Sequence, residues 1–211
     1  MSLQLVSALR ALAERRPVFH SEADFQFALA WQIREMCPEW QLRLEYPFGE
    51  HARQALDILL RRGEEEVGIE LKYLTHRLDA VVEGERFRLK EGSARDEDQY
   101  KAVDDIRRME SFVAARKRAS AFVVLLTNHR SVWTYSPRFR KAAAFSLHEG
   151  RELAGTLAFT PDTADSTRRP PITLRARYHI TWQKYSEIRP AAGRGRFRFA
   201  IFEIRRRSLG L

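Results

Sequence analysis

The start of the chain carries apolar residues first at helical spacing and then at strand spacing. Residues 3–15 repeat leucine at intervals of three and four, which predicts an amphipathic helix that ends before Pro17 and serves packing. A second helix is predicted to begin after Ser21, whose hydroxyl suits an N-cap, and to end at Pro38. Two helices are therefore expected before the first strand.

Three strands are predicted to follow the second helix. Residues 40–46 alternate apolar and polar side chains, while residues 56–60 and 67–73 are two apolar runs on either side of a polar turn that contains Gly63. Apolar runs joined by a charged, glycine-containing turn are typical of a hairpin. We therefore expect one strand followed by a β-hairpin.

A second helix–strand pair completes the predicted core. Residues 96–118 have a helical apolar stripe, and the continuous apolar run 119–127 suits a central strand that is covered on both faces. The charged segment before this helix contains a possible hairpin with Gly84 at its turn, which we interpret as an insertion at the mouth of the site. Five charged residues of the helix are interpreted as a solvated ion-pair face, namely Asp104, Asp105, Arg107, Arg108 and Glu110. The order helix, three strands, helix, strand predicts an α/β protein.

The last third of the chain is expected to be rich in strands. A helix is predicted from Pro137, and after a loop rich in Thr, Asp, Arg and Pro two strands are predicted at residues 172–182 and 197–204. We divide the chain into a core, residues 1–150, and a basic β-strand extension, residues 151–211, packed on the same domain.

The composition excludes several classes of protein. With 44% hydrophobic residues the chain should fold around a core, and its one cysteine, Cys37, rules out an internal disulfide framework and fits the reducing cytoplasm. No apolar run approaches the length of a membrane span. We find no glycine-rich nucleotide loop, no paired-cysteine zinc pattern, no nucleophile elbow and no close metal-ligand spacing among the histidines.

The positive charge is concentrated near the C-terminus. The net charge is +9, and residues 151–211 carry thirteen Lys and Arg against five Asp and Glu. Because phosphate contacts dominate the affinity of proteins for nucleic acid, this surplus favours a nucleic-acid partner over a merely basic surface. The oligomeric state, monomer or homodimer, stays open.

Candidate chemistry lies on the predicted hairpin. Asp57 interrupts the first apolar run, and Glu70 and Lys72 project from the same face of the second strand because side chains alternate along a strand. Buried charges usually pair or bind metal, and two carboxylates on neighbouring strands can hold a hard divalent cation such as Mg²⁺. The alternative is an exposed Glu–Lys ladder.

Two helical residues could extend this site. Glu22 lies on the same stripe as the apolar residues Phe25 and Leu29, so it can either supply a third carboxylate or favour the positive end of the helix. Gln99 likewise points inward near the start of the helix over residues 96–118, where it can serve the site, a cap or the edge of the core.

Asp57, twelve intervening residues and Glu70-x-Lys72 resemble the motif of the PD-(D/E)xK nuclease superfamily, although Leu56 stands in place of the motif's proline. The order of the predicted elements matches the superfamily's restriction-endonuclease-like core. The resemblance implies a nuclease that hydrolyses phosphodiester bonds, with DNA more probable than RNA as the substrate.

The same resemblance implies roles for individual residues. Asp57, Glu70 and the carbonyl of Leu71 would bind Mg²⁺, for which Mn²⁺ could substitute, and Glu22 would complete or support that site. Lys72 would position the attacking water, and Gln99 with Tyr100 loosely resembles a glutamine–aromatic pair found on the helix after the catalytic strand. Two alternatives remain at this stage, a non-catalytic nucleic-acid-binding or defence-associated protein with the nuclease fold, and a structural protein that binds an acidic partner.

Overall fold

The computed structural model describes residues 4–48, 55–92, 95–136, 141–161, 169–189 and 194–210. Its helices are α1 (Leu5–Arg15), α2 (Glu22–Met36), α3 (Arg95–Ala114) and the short α4 (Arg130–Trp133), with 3-10 turns at Ala143–Phe145 and Arg206–Leu209. Its strands are β1 (Gln41–Pro47), β2 (Ala55–Arg62), β3 (Glu65–Leu74), β4 (Leu78–Val82), β5 (Glu85–Leu89), β6 (Ala119–Thr127), β7 (Glu152–Leu157), β8 (Ile172–His179), β9 (Gln183–Glu187) and β10 (Arg196–Arg205). None of these helices combines the length and the apolar composition that a membrane crossing needs.

A six-stranded mixed sheet organises these elements. Its strand order is β1-β2-β3-β6-β10-β9, in which β3 and β6 are parallel and all other neighbours are antiparallel. The α/β class predicted from the sequence is confirmed. The strand predicted at residues 172–182 ends earlier, at His179, and pairs with β7 in a separate two-stranded sheet. The division at residue 150 stays a prediction, and β10 pairs directly with β6 in the main sheet.

Helices cover the two faces of the sheet differently. α1 and α2 pack on one face, where Leu9, Phe25 and Leu71 belong to one hydrophobic cluster, whereas α3 covers the other face together with β7 and β8. Gly68 of β3 permits the close approach of α3, because a Cβ at this position would lie 3.1 Å from the ring of Phe112. The tight packing of α3 on β3 brings the polar residues of both elements together.

Side chains of β1 and β2 change faces in the middle of each strand. Leu44 packs on the α1–α2 side, but Tyr46 packs on the α3 side, although alternation alone would place residues two apart on one face. The residue between them, Glu45, has φ of 50°, a left-handed conformation that is uncommon outside glycine. The clean alternation predicted over residues 40–46 is therefore wrong at Glu45. Local strain of this kind is concentrated at functional sites in proteins.

The hairpin predicted around Gly84 is confirmed as β4–β5. Glu83 and Gly84 both have positive φ, 51° and 85°, as a two-residue hairpin turn of type I′ requires. The ring of Phe87 stacks on His20 with 4.4 Å between ring centroids, so this hairpin packs against the entry to α2. The loop that contains His51, the start of the helix predicted from Pro137 and most of the loop predicted before β8 lie outside the described residues.

Glu110 belongs to the core, so its assignment to a solvated face is wrong. Its carboxylate is buried and accepts hydrogen bonds from the backbone N–H groups of Arg175 and Ala176 and from the hydroxyl of Tyr178. The donor-to-oxygen distances are 2.8 to 3.0 Å. These hydrogen bonds connect β8 to Glu110 of α3. They also compensate for the burial of the Glu110 carboxylate, which would be costly without hydrogen-bond donors.

We expect Glu110→Ala to lower the free energy of unfolding by about 3–5 kcal/mol, because it leaves several buried donors without an acceptor. Urea unfolding followed by circular dichroism measures this change. Asp104→Ala on the same helix is the control, since its pair with Arg107 is partly exposed and such pairs contribute about 0–1 kcal/mol. Equal losses in the two variants would contradict a structural role for Glu110.

Candidate active site

The site lies where β2 and β3 separate. The two strands pair from Arg62–Glu65 to Ile58–Ile69, and beyond that point Asp57 Oδ2 accepts a hydrogen bond from the N–H of Leu71 at 2.6 Å. A side-chain carboxylate thus replaces a backbone carbonyl at the edge of β3. Because of this hydrogen bond the Asp57 side chain points toward β3, and β2 and β3 diverge beyond Ile58 and Ile69.

Glu22 accepts a hydrogen bond from the same edge of β3, two residues further along the strand. Its Oε2 accepts a hydrogen bond from the N–H of Tyr73 at 2.7 Å. The N–H groups of Leu71 and Tyr73 are separated by two residues of strand, or about 7 Å. Glu22 is exposed and does not line the cleft that contains Asp57, whose side chain is half-buried.

Asp57, Glu70 and Lys72 line one cleft, as expected from their positions in the strands. The cleft has a volume of about 420 Å³. Residues from β1, β2, β3 and α3 form its walls, namely Glu45, Ala55, Asp57, Glu70, Lys72, Tyr100, Lys101, Asp104, Asp105 and Arg108. The carboxylates and the amine therefore open to the same solvent-accessible space.

Two ion pairs join β3 to α3 inside the cleft. Lys72 Nζ lies 3.0 Å from Asp105 Oδ2, and Arg108 Nη2 lies 3.1 Å from Glu70 Oε1. Arg108 Nη1 also donates to Asp105 Oδ1 at 2.9 Å. Glu70 Oε1 and Asp105 Oδ2 are close to these cations but make no directed hydrogen bond among the described residues. These two contacts are therefore ion pairs without an aligned hydrogen bond.

The interpretation of Asp105 and Arg108 as solvated residues is wrong. Only 7% of the Asp105 side chain and 16% of the Arg108 side chain are exposed. Asp105 lies three residues after Ala102 and four before Met109, both buried, so helical spacing places it on the inward stripe. That spacing was present in the sequence, and it would have indicated that Asp105 faces β3. Asp104 and Arg107 do form a partly exposed pair.

Acids outnumber cations in the cleft. Five acidic side chains line it, those of Glu45, Asp57, Glu70, Asp104 and Asp105, against three cationic ones, those of Lys72, Lys101 and Arg108. Burial raises the pKa of Asp57 to about 6, against smaller opposing effects from the N–H of Leu71 and from Lys72. Burial, followed by the charges of Asp105 and Asp57, raises the pKa of Glu70 far above its ordinary value. A further cation would relieve this excess of negative charge.

Lys72 is held in its charged form. Burial acts to lower the pKa of Lys72, but the carboxylates of Asp105, Glu22 and Glu70 outweigh it, and the pKa lies above its ordinary value. Its Nζ also donates to the carbonyl of Leu71 at 3.2 Å. An ammonium group fixed in this way can donate hydrogen bonds and stabilise negative charge, but it does not act as a base.

Gln26 and Glu45 are site residues that the sequence analysis missed. Gln26 is buried, and its Nε2 donates to Glu45 Oε1 and to the carbonyl of Asp57, both at 2.7 Å. Gln26 follows Glu22 by four residues on α2, so the two share a helix face, and this spacing could have identified it. Gln26 connects Glu45, the irregular residue of β1, to the backbone of Asp57.

Gln99 is buried at the start of α3, as expected, but it does not line the cleft. Its neighbour Tyr100 does, and the Tyr100 hydroxyl donates to the carbonyl of Pro170 at 3.1 Å. Direct participation of Gln99 in the site stays a prediction.

Comparisons of the chain with family models, with curated proteins and with solved structures find no match. The resemblance to the PD-(D/E)xK superfamily therefore depends on the residues and on the order of the elements.

Proposed function

We propose that the chain is a metal-dependent nuclease that hydrolyses phosphodiester bonds in nucleic acid, DNA more readily than RNA. One observation carries this proposal. Asp57, Glu70 and Lys72 line a single cleft in which carboxylates exceed cations. Such a cleft can bind a divalent cation through its carboxylates, and the bound cation can in turn contact a phosphate.

The order of the elements supports the same proposal. α2, the strands β1 to β3, α3 and β6 follow one another in the order of a restriction-endonuclease-like core. In this interpretation the hairpin β4–β5 is an insertion, and β7 to β10 form the β-rich basic extension.

The donor atoms of the cleft suit a hard cation. Asp57 and Glu70 offer carboxylate oxygens, Leu71 offers its carbonyl between them, and Glu22 stands next along the edge of β3. Oxygen donors of this kind are those that Mg²⁺ and Mn²⁺ bind. When bound, the cation supplies Lewis-acid polarisation of the phosphate.

The chain's own residues contribute orientation and charge. Lys72 as an ammonium group can hold the attacking water or a phosphate oxygen by hydrogen bonds and can stabilise the negative charge that develops there. Asp105 and Arg108 position Lys72 and Glu70 through the two ion pairs. Gln26 holds the backbone of Asp57, so α2, β3 and α3 each fix part of the site.

The C-terminal arginines supply a surface for the phosphate backbone. Arg175 and Arg177 project from the exposed face of β8, and Arg196 and Arg198 project from β10. Arg198 also lies over the ring of Trp133, 5.6 Å from its centroid. Exposed arginines interspersed with aromatic rings are suited to contact phosphates and bases.

We expect DNA binding to be strongly salt-dependent. If three phosphates are neutralised, the slope of log K against log salt is about −2.7, which weakens binding about 40-fold between 50 and 200 mM salt. Fluorescence anisotropy with the Asp57→Asn variant, which should bind without cleaving, measures this slope. Arg175→Ala should reduce the magnitude of the slope by about 1, whereas Arg43→Ala, an exposed position on β1 outside the basic extension, should not. A slope near zero would contradict a nucleic-acid partner.

The nuclease activity itself is tested with purified protein, single- and double-stranded DNA, and RNA. Cleavage should require Mg²⁺ or Mn²⁺ and stop when EDTA is added. Absence of cleavage with every substrate and both cations would overturn the catalytic proposal.

One observation favours the alternative of a non-catalytic nucleic-acid-binding or defence-associated protein. Lys72 and Arg108 are each already paired with a carboxylate, so the cleft is partly satisfied by its own residues. In that case DNA binding would persist in Asp57→Asn and Lys72→Ala, and the wild-type protein would bind DNA without cleaving it.

A further inference from the structure

A second group of metal-ligating side chains lies at the ends of three strands. One ligand atom from each of His76, Glu91 and His129 lies within 4.8 Å of the other two. These residues are far apart in the chain and meet only in the fold, so the histidines show no close metal-ligand spacing in the sequence. None of the three lines the cleft that holds Asp57 and Glu70.

The topology of the sheet builds this group. His76 and His129 each follow by two residues the ends of β3 and β6, which are parallel neighbours and therefore finish at the same edge of the sheet. Glu91 likewise follows the end of β5 by two residues. Three separate connections, β3–β4, β5–α3 and β6–α4, thus meet at one place.

Buried polar side chains hold both histidines in position. The Asn128 side chain accepts a hydrogen bond from the N–H of His76 at 2.7 Å and donates to the carbonyl of the same residue at 3.1 Å. Asn128 is 2% exposed. The N–H of His129 donates to the buried hydroxyl of Thr127 at 2.9 Å. The backbone of each histidine is therefore fixed before any ligand binds.

The imidazole rings are also oriented. The hydroxyl of Ser131 lies 3.0 Å from Nδ1 of His129, and a partner on one ring nitrogen commonly directs the other nitrogen of a metal-binding histidine. The His76 ring lies edge-on to that of His129 with 4.9 Å between centroids. Nδ1 of His76 is buried and makes no hydrogen bond with the described residues, and Nε2 lies 4.0 Å from Glu91 Oε1.

We propose that His76, Glu91 and His129 form a second divalent-cation site, which takes a borderline metal of the Zn²⁺ class. Imidazole ligands favour Zn²⁺, Ni²⁺ and Cu²⁺ over Mg²⁺, whereas the cleft offers only oxygen donors. The two sites therefore select different metals.

The separation of the ligand atoms of His76, Glu91 and His129 is compatible with Zn²⁺ after a small movement of the side chains. Tetrahedral ligands at about 2.0–2.1 Å from Zn²⁺ lie about 3.3 Å from one another, so no pair of ligand atoms must close by more than about 1.5 Å. Glu91 can make this adjustment because 62% of its side chain is exposed. Three protein ligands leave a fourth position for water or for another ligand.

A cation at this site would connect the structures that form the cleft. His76 follows Lys72 by four residues, a distance of at most about 14 Å along the chain. Glu91 immediately precedes the segment that leads into α3, which carries Asp105 and Arg108. The bound cation would thus hold the end of β3, the approach to α3 and the end of β6 together.

The test uses the full chain with Asp57→Asn and Glu70→Gln, so that binding in the cleft is not counted. After removal of metal with EDTA and dialysis, Zn²⁺ is titrated against a chromophoric chelator. We expect one equivalent to bind and the Tm to rise by about 5–10 °C at free Zn²⁺ 100 times Kd. Co²⁺ should give the visible absorption of a tetrahedral nitrogen–oxygen site.

Variants of the ligands assign the binding. In the same background, His129→Gln should weaken binding about 100-fold, and Glu91→Gln, which alters an exposed side chain, about 10-fold. His179→Gln, at an exposed position on β8, is the matched control and should bind as the parent does. Absence of one-equivalent binding in the parent, or equal affinity in the parent and Glu91→Gln, would overturn the proposal.

Discussion

Lys72→Ala is expected to lower metal-dependent cleavage of DNA about 100- to 1,000-fold, because it removes the charged donor that we propose stabilises the reacting phosphate. The fold should be kept, since Asp105 retains its hydrogen bond from Arg108. Single-turnover cleavage assays in Mg²⁺, with circular dichroism as a check on folding, measure the effect.

Lys101→Ala provides the matched control. Lys101 lines the same cleft but is half-exposed and paired with Glu97. Because exposed ion pairs contribute little, the loss of Lys101 should reduce cleavage less than 10-fold. Cleavage that survives in Lys72→Ala at the wild-type rate would remove Lys72 from the mechanism. Equal losses in both variants would indicate a general role for positive charge in substrate binding.

Glu70→Gln is expected to stabilise the metal-free protein by about 2–3 kcal/mol at pH 8, while abolishing metal-dependent cleavage. The substitution reduces the acidic side chains that line the cleft from five to four, against three cations, and so lowers the excess of negative charge. Catalytic sites often hold such a destabilising charge in exchange for function.

The pH dependence follows from the direction of the pKa changes. Because the folded-state pKa values of Asp57, about 6, and of Glu70 are raised, the folded protein retains protons that the unfolded chain has released. The resulting stability is complete below the unfolded-state pKa values and is lost as the pH rises through the folded-state values. Wild-type protein in EDTA should therefore become less stable between pH 5.5 and pH 8, and Glu70→Gln should flatten this decline.

Urea unfolding in EDTA at the two pH values measures both effects. Glu64→Gln, in the exposed turn between β2 and β3, is the control and should change stability by less than about 0.5 kcal/mol. Added Mg²⁺ should stabilise wild type but not Glu70→Gln. If Glu70→Gln is less stable than wild type at pH 8, the Arg108–Glu70 ion pair contributes more to the free energy of unfolding than the excess of negative charge costs.

Local patterns in the sequence predicted the part of the site that lies on neighbouring strands. Asp57, Glu70 and Lys72 belong to one hairpin, so alternation and spacing were enough to place them together. Asp105 and Arg108 were misassigned because charged residues on a helix usually face water, and only the helical register relative to Ala102 and Met109 indicated otherwise.

Other features required the tertiary structure. His76 and His129 are neighbours only because β3 and β6 are parallel and end at the same edge, and no local pattern in the sequence encodes that pairing. Glu45, at the face reversal, accepts a hydrogen bond from Gln26 of a different element. Sequence periodicity describes each strand as regular, so it cannot reveal a local reversal of faces.

The left-handed conformation of Glu45 has a consequence for attempts to engineer this protein. Glycine or asparagine would fit that backbone better, and a stability-guided library would enrich for them. Neither glycine nor asparagine could reproduce the hydrogen bond that Gln26 donates to the Glu45 carboxylate at the wall of the cleft. Selection for heat resistance and selection for activity should therefore diverge at this position.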